Sequence, residues 1–179
     1  MIIGIDISQL AYRNIGVSNY LENLIFEMTK KKNHEFIFFF SSLRRKVPIS
    51  IRKLVNSNNN IKLKRFRLPP VALHLLWNKL HKVPLENFVG NVDIFISSDW
   101  TEPPAKKALK ATILYDLIVY KYPDETASKI VAVQKEKLKW VKKESDIIFC
   151  ISEATKKDAE DILGLEINKL KVIYPGLTL

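Results

Sequence analysis

At 179 residues, 47% apolar and 10% aromatic, the chain can build one well-cored domain and is short for two. This composition excludes a disordered chain, and the lone Cys150 excludes a disulfide framework or a cysteine metal site, so a reducing cytoplasm is the expected compartment. The formal charge of +10 is uneven: residues 1–90 hold 15 Lys and Arg against 5 Asp and Glu, whereas residues 91–179 hold 14 of each. Such a basic half attracts polyanions (nucleic acid, anionic headgroups, phosphorylated substrates), or it serves solubility alone. No apolar run approaches the ~20 residues of a membrane span, and the N-terminus does not read as a secretion signal.

In chain order, Met1 to Ile7 reads as an apolar strand with Asp6 near its carboxyl end. Val17, Tyr20, Leu21, Leu24, Ile25 and Met28 recur at helical spacing, and Asn19 followed by Glu22 resembles a capping box. The helix is therefore expected to start near Ser18 or Asn19. Glu35 to Phe40 is a second strand. A basic segment containing Pro48 leads through "NSNNN", a loop, to Ile61–Phe66, whose alternation suits a half-buried or edge strand. Val71 to Leu80 predicts a helix with Leu73, Leu76, Trp77 and Leu80 on one stripe, and Val92 to Ile96 a strand. Ala111 to Tyr115 follows as a strand, then a helix over Thr126–Lys143 burying Ala127, Ile130, Val131, Leu138 and Val141. Ile147 to Ile151 is a strand, Ser152 the N-cap of a helix that Gly164 ends, and Leu170 to Tyr174 a last strand.

Apolar strands alternating with amphipathic helices predict an α/β, Rossmann-like, mostly parallel sheet with helices on both faces. In such sheets ligands sit outside the carboxyl ends of the strands. Asp6, Ser97-Ser98-Asp99, Tyr115-Asp116 and Ser152-Glu153 each follow an apolar strand, so four polar groups mark one working edge. Each has a plainer reading too, as a turn or a cap; Asp116 in particular suits an Asx turn. His34, His74 and His81 show no metal spacing and read as surface or satisfied histidines, and no P-loop or Ser-His-Asp arrangement is present.

Five stretches, in order, resemble the N-terminal domain of the retaining glycosyltransferases of the GT-B fold, of the glycosyltransferase family 4 type. "GIDISQLAYRNIGVSNYLENL" is similar to that family's first strand and glycine loop, and "LLWNKLHKVPLENFVGNVDIFISSDWTEPP" to its helix, strand and proline loop. "TILYDLIVYKYPD" resembles its [HY]-D-L element, "ESDIIFCISEATKKD" its S-E-x-T-x-x-D element, and "INKLKVIYPGL" the exit from the first domain. Ser18 and Asn19 stand where the common glycine-loop pattern has Gly and Arg. Tyr115 stands where His is frequent.

The resemblance implies hexosyl transfer from a nucleotide-sugar to a polysaccharide or lipid-linked acceptor, with retention and without a metal or other cofactor. It implies that residues 1–179 are the acceptor-side half of a GT-B enzyme, inactive without a C-terminal nucleotide-sugar domain. Asp116 and Tyr115 are the implied catalytic pair, with Gly16, Val17, Ser18, Asn19, Tyr20, Asp99, Ser152 and Glu153 binding substrate. Arg44, Arg45, Lys46, Lys62, Lys64, Arg65 and Arg67 form a basic patch for an acceptor or the inner face of an anionic membrane, with Phe66 a candidate aromatic anchor. Trp77, on an apolar stripe, reads as core. Nucleic acid is not the expected partner, although a non-catalytic basic module that binds nucleic acid or a partner protein is the alternative from another class.

Overall fold

Seven short apolar segments pair side by side in the computed structural model, which describes residues 1–12, 16–97 and 99–176. They are β1 Ile2–Asp6, β2 Glu35–Ser41, β3 Ile61–Phe66, β4 Ile94–Ser97, β5 Leu109–Leu114, β6 Ile147–Cys150 and β7 Leu170–Val172. All neighbours pair in parallel, in the order β3-β2-β1-β4-β5-β6-β7. The α-helices are α1 Gly16–Thr29, α2 Ile49–Asn56, α3 Pro70–Leu73, α4 Glu86–Val89, α5 Ile118–Lys121, α6 Ser128–Glu144 and α7 Glu153–Leu163.

A sheet covered on both faces needs strands that are apolar on both sides, and β2 shows this most clearly. Phe36, Phe38 and Phe40 pack beneath α1 and α2 with Ile5, Leu21, Ile25 and Ile51, while Ile37 and Phe39 pack on the other face with Trp77, Leu85 and Phe95. A third cluster joins Leu114, Ile148 and Cys150 to Leu138 and Val141 of α6 and Ala159 and Leu163 of α7. Burial raises the thiol of Cys150 to about 11, so it behaves as an inert core residue.

Several elements differ from the sequence expectation. The first helix begins at Gly16, and the capping box does not form: Glu22 accepts a hydrogen bond from Ser50 Oγ instead, while Asn19 is exposed. The basic segment after Pro48 holds α2, which buries only Ile51. Over Val71–Leu80 the α-helix gives way to a π-helical segment, His74–Lys79, and the Leu80 N–H donates to Leu75 O, five residues back, at 2.9 Å. The wider turn keeps Leu73 and Trp77 inside but leaves Leu80 51% exposed. The opening turns of α6 lie against α5 and a 3-10 turn, Pro123–Glu125, rather than on the sheet. Ala127 and Ile130 are therefore exposed, and Lys137 is buried lower on the same helix.

Phe66 is no membrane anchor. It stacks on Phe39 at 5.3 Å between centroids and meets Phe88 edge-on at 5.2 Å, inside the aromatic cluster that also holds Trp77. Trp77 is core, as its stripe predicted, with its indole N–H donating to Val83 O at 2.9 Å. His74 and His81 are satisfied by Glu136 and Glu144, each at 2.9 Å.

Gly4 shows how tightly β1 is packed: a Cβ there would lie 2.7 Å from Phe95 Cδ2 and 3.4 Å from Val92 Cγ1. Gly4→Ala is expected to destabilise the protein by about 1–3 kcal/mol, read as a lower urea midpoint at unchanged slope. An unchanged midpoint would show that Phe95 yields freely.

Candidate functional site at the carboxyl edge of the sheet

Strand order reverses direction between β1 and β4, which opens a notch beyond their carboxyl ends. Asp6 closes β1, 4% exposed, its Oδ1 accepting from the Ser8 N–H at 2.8 Å. Burial pushes its carboxyl above the usual carboxylate range, and the Ser8 hydrogen bonds only partly offset this. A 3-10 turn, Ser8–Ala11, then carries Gln9 into the notch. Its Oε1 accepts from the Asp99 N–H at 3.0 Å, and its Nε2 donates to Tyr115 Oη at 2.8 Å and to Val17 O at 3.4 Å. One amide thus ties together the ends of β1, β4 and β5 and the start of α1. Nothing in the sequence pattern distinguished Gln9 from an ordinary loop residue.

Tyr115 is buried, set edge-on against Tyr20 at 5.7 Å and 84°. Desolvation raises its phenol far above the ordinary value, so it remains neutral. Tyr20 reaches the other way, donating to Ile173 O at 3.1 Å. Asp99 is half-buried; Gln134 of α6 donates to its backbone carbonyl at 3.1 Å and to its Oδ1 at 3.2 Å. Burial raises its carboxyl, against the pull of Lys137. Ser98 lies outside the described residues.

Below this edge runs a buried layer of charge that the sequence did not announce. Glu102 is 0% exposed, bonded by Ser97 Oγ and paired at 3.1 Å with Lys110, which also reaches Glu144 at 2.9 Å. Lys137 lies in the fields of Glu102, Asp99 and Asp6, and burial lowers its ammonium pKa. These paired charges hold α6 and the β4–β5 connection in place beneath the notch.

The remaining predicted residues line the rim. Asp116 is exposed, and its Oδ1 accepts from the Ile118 N–H at 3.0 Å, the Asx turn that opens α5. Ser152 caps α7 through the Thr155 N–H at 3.0 Å, and Thr155 Oγ1 donates to Tyr115 O at 3.1 Å. Glu153 is exposed in the first turn of α7. At α1, Gly16 and Asn19 are exposed, Val17 is half-buried and Ser18 is buried; a Cβ on Gly16 would meet nothing within 4 Å.

The basic residues do not form one patch. Arg65 and Arg67, at and just beyond the end of β3, share the carboxyl edge with Arg44, Arg45 and Lys46 after β2. Lys62 sits near the opposite end of β3, 3.5 Å from Glu35, with Lys64 exposed between. Beside the notch lie two adjoining hollows. One, about 280 Å³, is lined by Leu10, Ser18, Asn19, Glu22, Ser50 and neighbours; the other, about 440 Å³, is lined by Leu10, Ala11, Ile49, Arg45, Lys46, Arg52 and Val47. Among the described residues no three His, Cys, Asp or Glu side chains group to hold a metal ion, and no helix is long and apolar enough to cross a membrane.

A doubly covered parallel sheet with its polar groups gathered at the carboxyl edge defines a Rossmann-like ligand-binding domain. The Glycosyltransferase Family 4 model matches residues 15–179, and the chain belongs to that family: it is a glycosyltransferase domain. No curated protein matches the chain.

Tyr115→Phe leaves the buried Gln9 amide short of its best acceptor and is expected to cost about 1–2 kcal/mol in urea unfolding. Wild-type stability in the variant would remove Gln9 from its linking role. The pH response follows from Glu144: burial alone would raise its carboxyl, but hydrogen bonds from His81 and Lys110 bring it below 4.5. Its folded value is depressed, so its contribution is complete above about pH 4.5 and is lost as the pH falls through the folded value. Glu144→Gln should therefore be less stable than wild type at pH 7, with the gap closing towards pH 3 (roughly the low end of carboxylate titration). A gap independent of pH would contradict the assignment.

Proposed function

We propose that this domain is the acceptor-side half of a retaining GT-B glycosyltransferase that transfers a hexose from a nucleotide-sugar to a polysaccharide or lipid-linked acceptor. A C-terminal domain supplies the nucleotide-sugar site, and the enzyme works at or near the cytoplasmic face of a membrane. The supporting observation is the coincidence of a family match over residues 15–179 with the gathering of its implied site residues along one edge of the sheet.

On this reading the start of α1, where Gly16 and Asn19 are exposed, meets the diphosphate or the acceptor across the interdomain cleft. Its open space at Gly16 and the N–H groups of a helix start suit a close anionic approach. Asp116 presents a carboxylate to a hydroxyl of the transferred sugar. Tyr115 and Gln9 position the strand ends on which Asp116 and Asp99 stand, since the Tyr115 hydroxyl is already engaged inside the fold. Ser152 holds α7 in register and leaves Glu153 at the rim. No metal or other cofactor is part of this proposal.

Asp116→Asn tests the assignment because the amide oxygen preserves the Asx turn while the negative charge is removed. In the complete enzyme the variant is expected to keep its melting temperature and lose transfer by roughly 10²-fold, the scale of one electrostatic contact made in the transition state. Turnover equal to wild type would remove Asp116 from the site.

A further inference from the structure

The two hollows beside the notch differ sharply in chemistry and share a floor. Leu10 and Ile49 line both, so they form one bipartite groove between α1 and the β2–α2 connection. The smaller half presents Ser18, Asn19, Glu22 and Ser50, a set of hydroxyls, an amide and a carboxylate suited to sugar hydroxyls. The larger half presents Arg45, Lys46 and Arg52 over an apolar floor and has no carboxylate in its lining.

Two observations argue that the basic half is built for an anion rather than solvated. Arg45 is held in place: its Nη1 donates to Ala11 O at 3.0 Å, its guanidinium lies 4.6 Å above the Tyr12 ring, and its backbone N–H donates to Ser42 Oγ at 3.0 Å. A guanidinium anchored through one nitrogen keeps its other donors directed and loses little entropy on binding. In addition, Arg45, Lys46 and Arg52 surround one hollow whose lining holds no carboxylate, and none of the three is paired with one among the described residues. Three unneutralised cations around one hollow leave its charge to be met from outside the chain.

We propose that this groove takes an acceptor sugar carrying an adjacent phosphate: the sugar ring lies in the half lined by Asn19, Glu22 and Ser50, and the phosphate lies against Arg45, Lys46 and Arg52. This rests on the acceptor-side reading above and narrows it to a substrate class. The phosphate belongs either to a soluble sugar phosphate or to a lipid-linked one; the recognition chemistry is the same.

The experiment is a titration of the protein, followed by amide chemical shifts, with the 1-phosphates of glucose, galactose, mannose and N-acetylglucosamine, their neutral methyl glycosides, and inorganic phosphate. At least one sugar phosphate is expected to bind about tenfold or more tightly than both its methyl glycoside and inorganic phosphate, and Arg52→Gln should weaken it by about five- to tenfold. Arg52 is exposed and its side chain has no bonded partner among the described residues, so that variant tests the site without disturbing the fold. Phosphatidylcholine vesicles containing phosphatidylglycerol supply the lipid arm. Vesicle binding displaced by the sugar phosphate assigns the groove to a headgroup-borne phosphate, and absence of vesicle binding assigns it to a soluble one. Equal affinity for inorganic phosphate and every sugar phosphate, no preference over the methyl glycosides, or indifference to Arg52→Gln would each overturn the proposal. Loss of transfer in Asp116→Asn alongside any of those results would leave the acceptor-side reading standing and sink only this one.

Discussion

Seven parallel strands end on the same side of one sheet, and the predicted polar site residues of this domain are arranged around that constraint. Parallel pairing brings the chain back to the same end after every strand, so the residues that follow Asp6, Ser97, Leu114 and Cys150 meet along one edge although they are far apart in sequence. The reversal of order between β1 and β4 then splays neighbouring connections apart and leaves a notch. Gln9 closes its base by bonding the Asp99 amide, the Tyr115 hydroxyl and the Val17 carbonyl.

The edge is braced by charges that lie below it. Glu102, Lys110 and Glu144 join the β4–β5 connection, β5 and the end of α6 through one buried charge pair, Glu102–Lys110, and one partly exposed pair, Lys110–Glu144, and Lys137 sits among carboxylates nearby. Removing one member leaves a buried charge without compensation, which costs far more than an exposed pair would. The exposed basic residues at the ends of β2 and β3 form no such charge pairs among the described residues. Paired charge thus lies underneath, and the rim carries exposed charge of both signs, Asp116 and Glu153 as well as the basic residues after β2 and β3.

Much of this was legible in the sequence where a local signal and the tertiary demand coincide. The apolar runs announced all seven strands, and Ser152 and Gly164 bracket α7 as their capping chemistry requires, with Gly164 at φ +60°. Edge character in Ile61–Phe66 was visible in its alternation. Where tertiary partners decide, the sequence was silent or misleading. Helix α2 sets Ile51, Leu54 and Val55 at helical spacing against the core, but it runs for only eight residues between Pro48 and the Asn-rich loop, too short a stretch to stand out from its basic surroundings. Glu22 had a capping geometry available and instead bonds Ser50, 28 residues away. Leu80 left its stripe because a π-turn added a residue, and Lys137 is buried only because three carboxylates from distant segments gather around it. Asp116 forms the Asx turn that the plainer reading anticipated, and the resemblance adds a role for its charge that the turn does not exclude.

The central claim is that the carboxyl edge of the sheet receives the acceptor sugar. The most direct test is to map, residue by residue, the backbone amides that shift when the protein is titrated with candidate acceptor saccharides and, separately, with oligonucleotides. The account predicts saccharide-induced shifts along the carboxyl edge, at Gly16 through Glu22, Ser50, Asp99, Asp116 and the first turn of α7, with residues at the opposite ends of the strands, such as Ile2, Glu35 and Lys62, unmoved. Shifts centred on those opposite ends, or a response to oligonucleotides and to no saccharide, would contradict it.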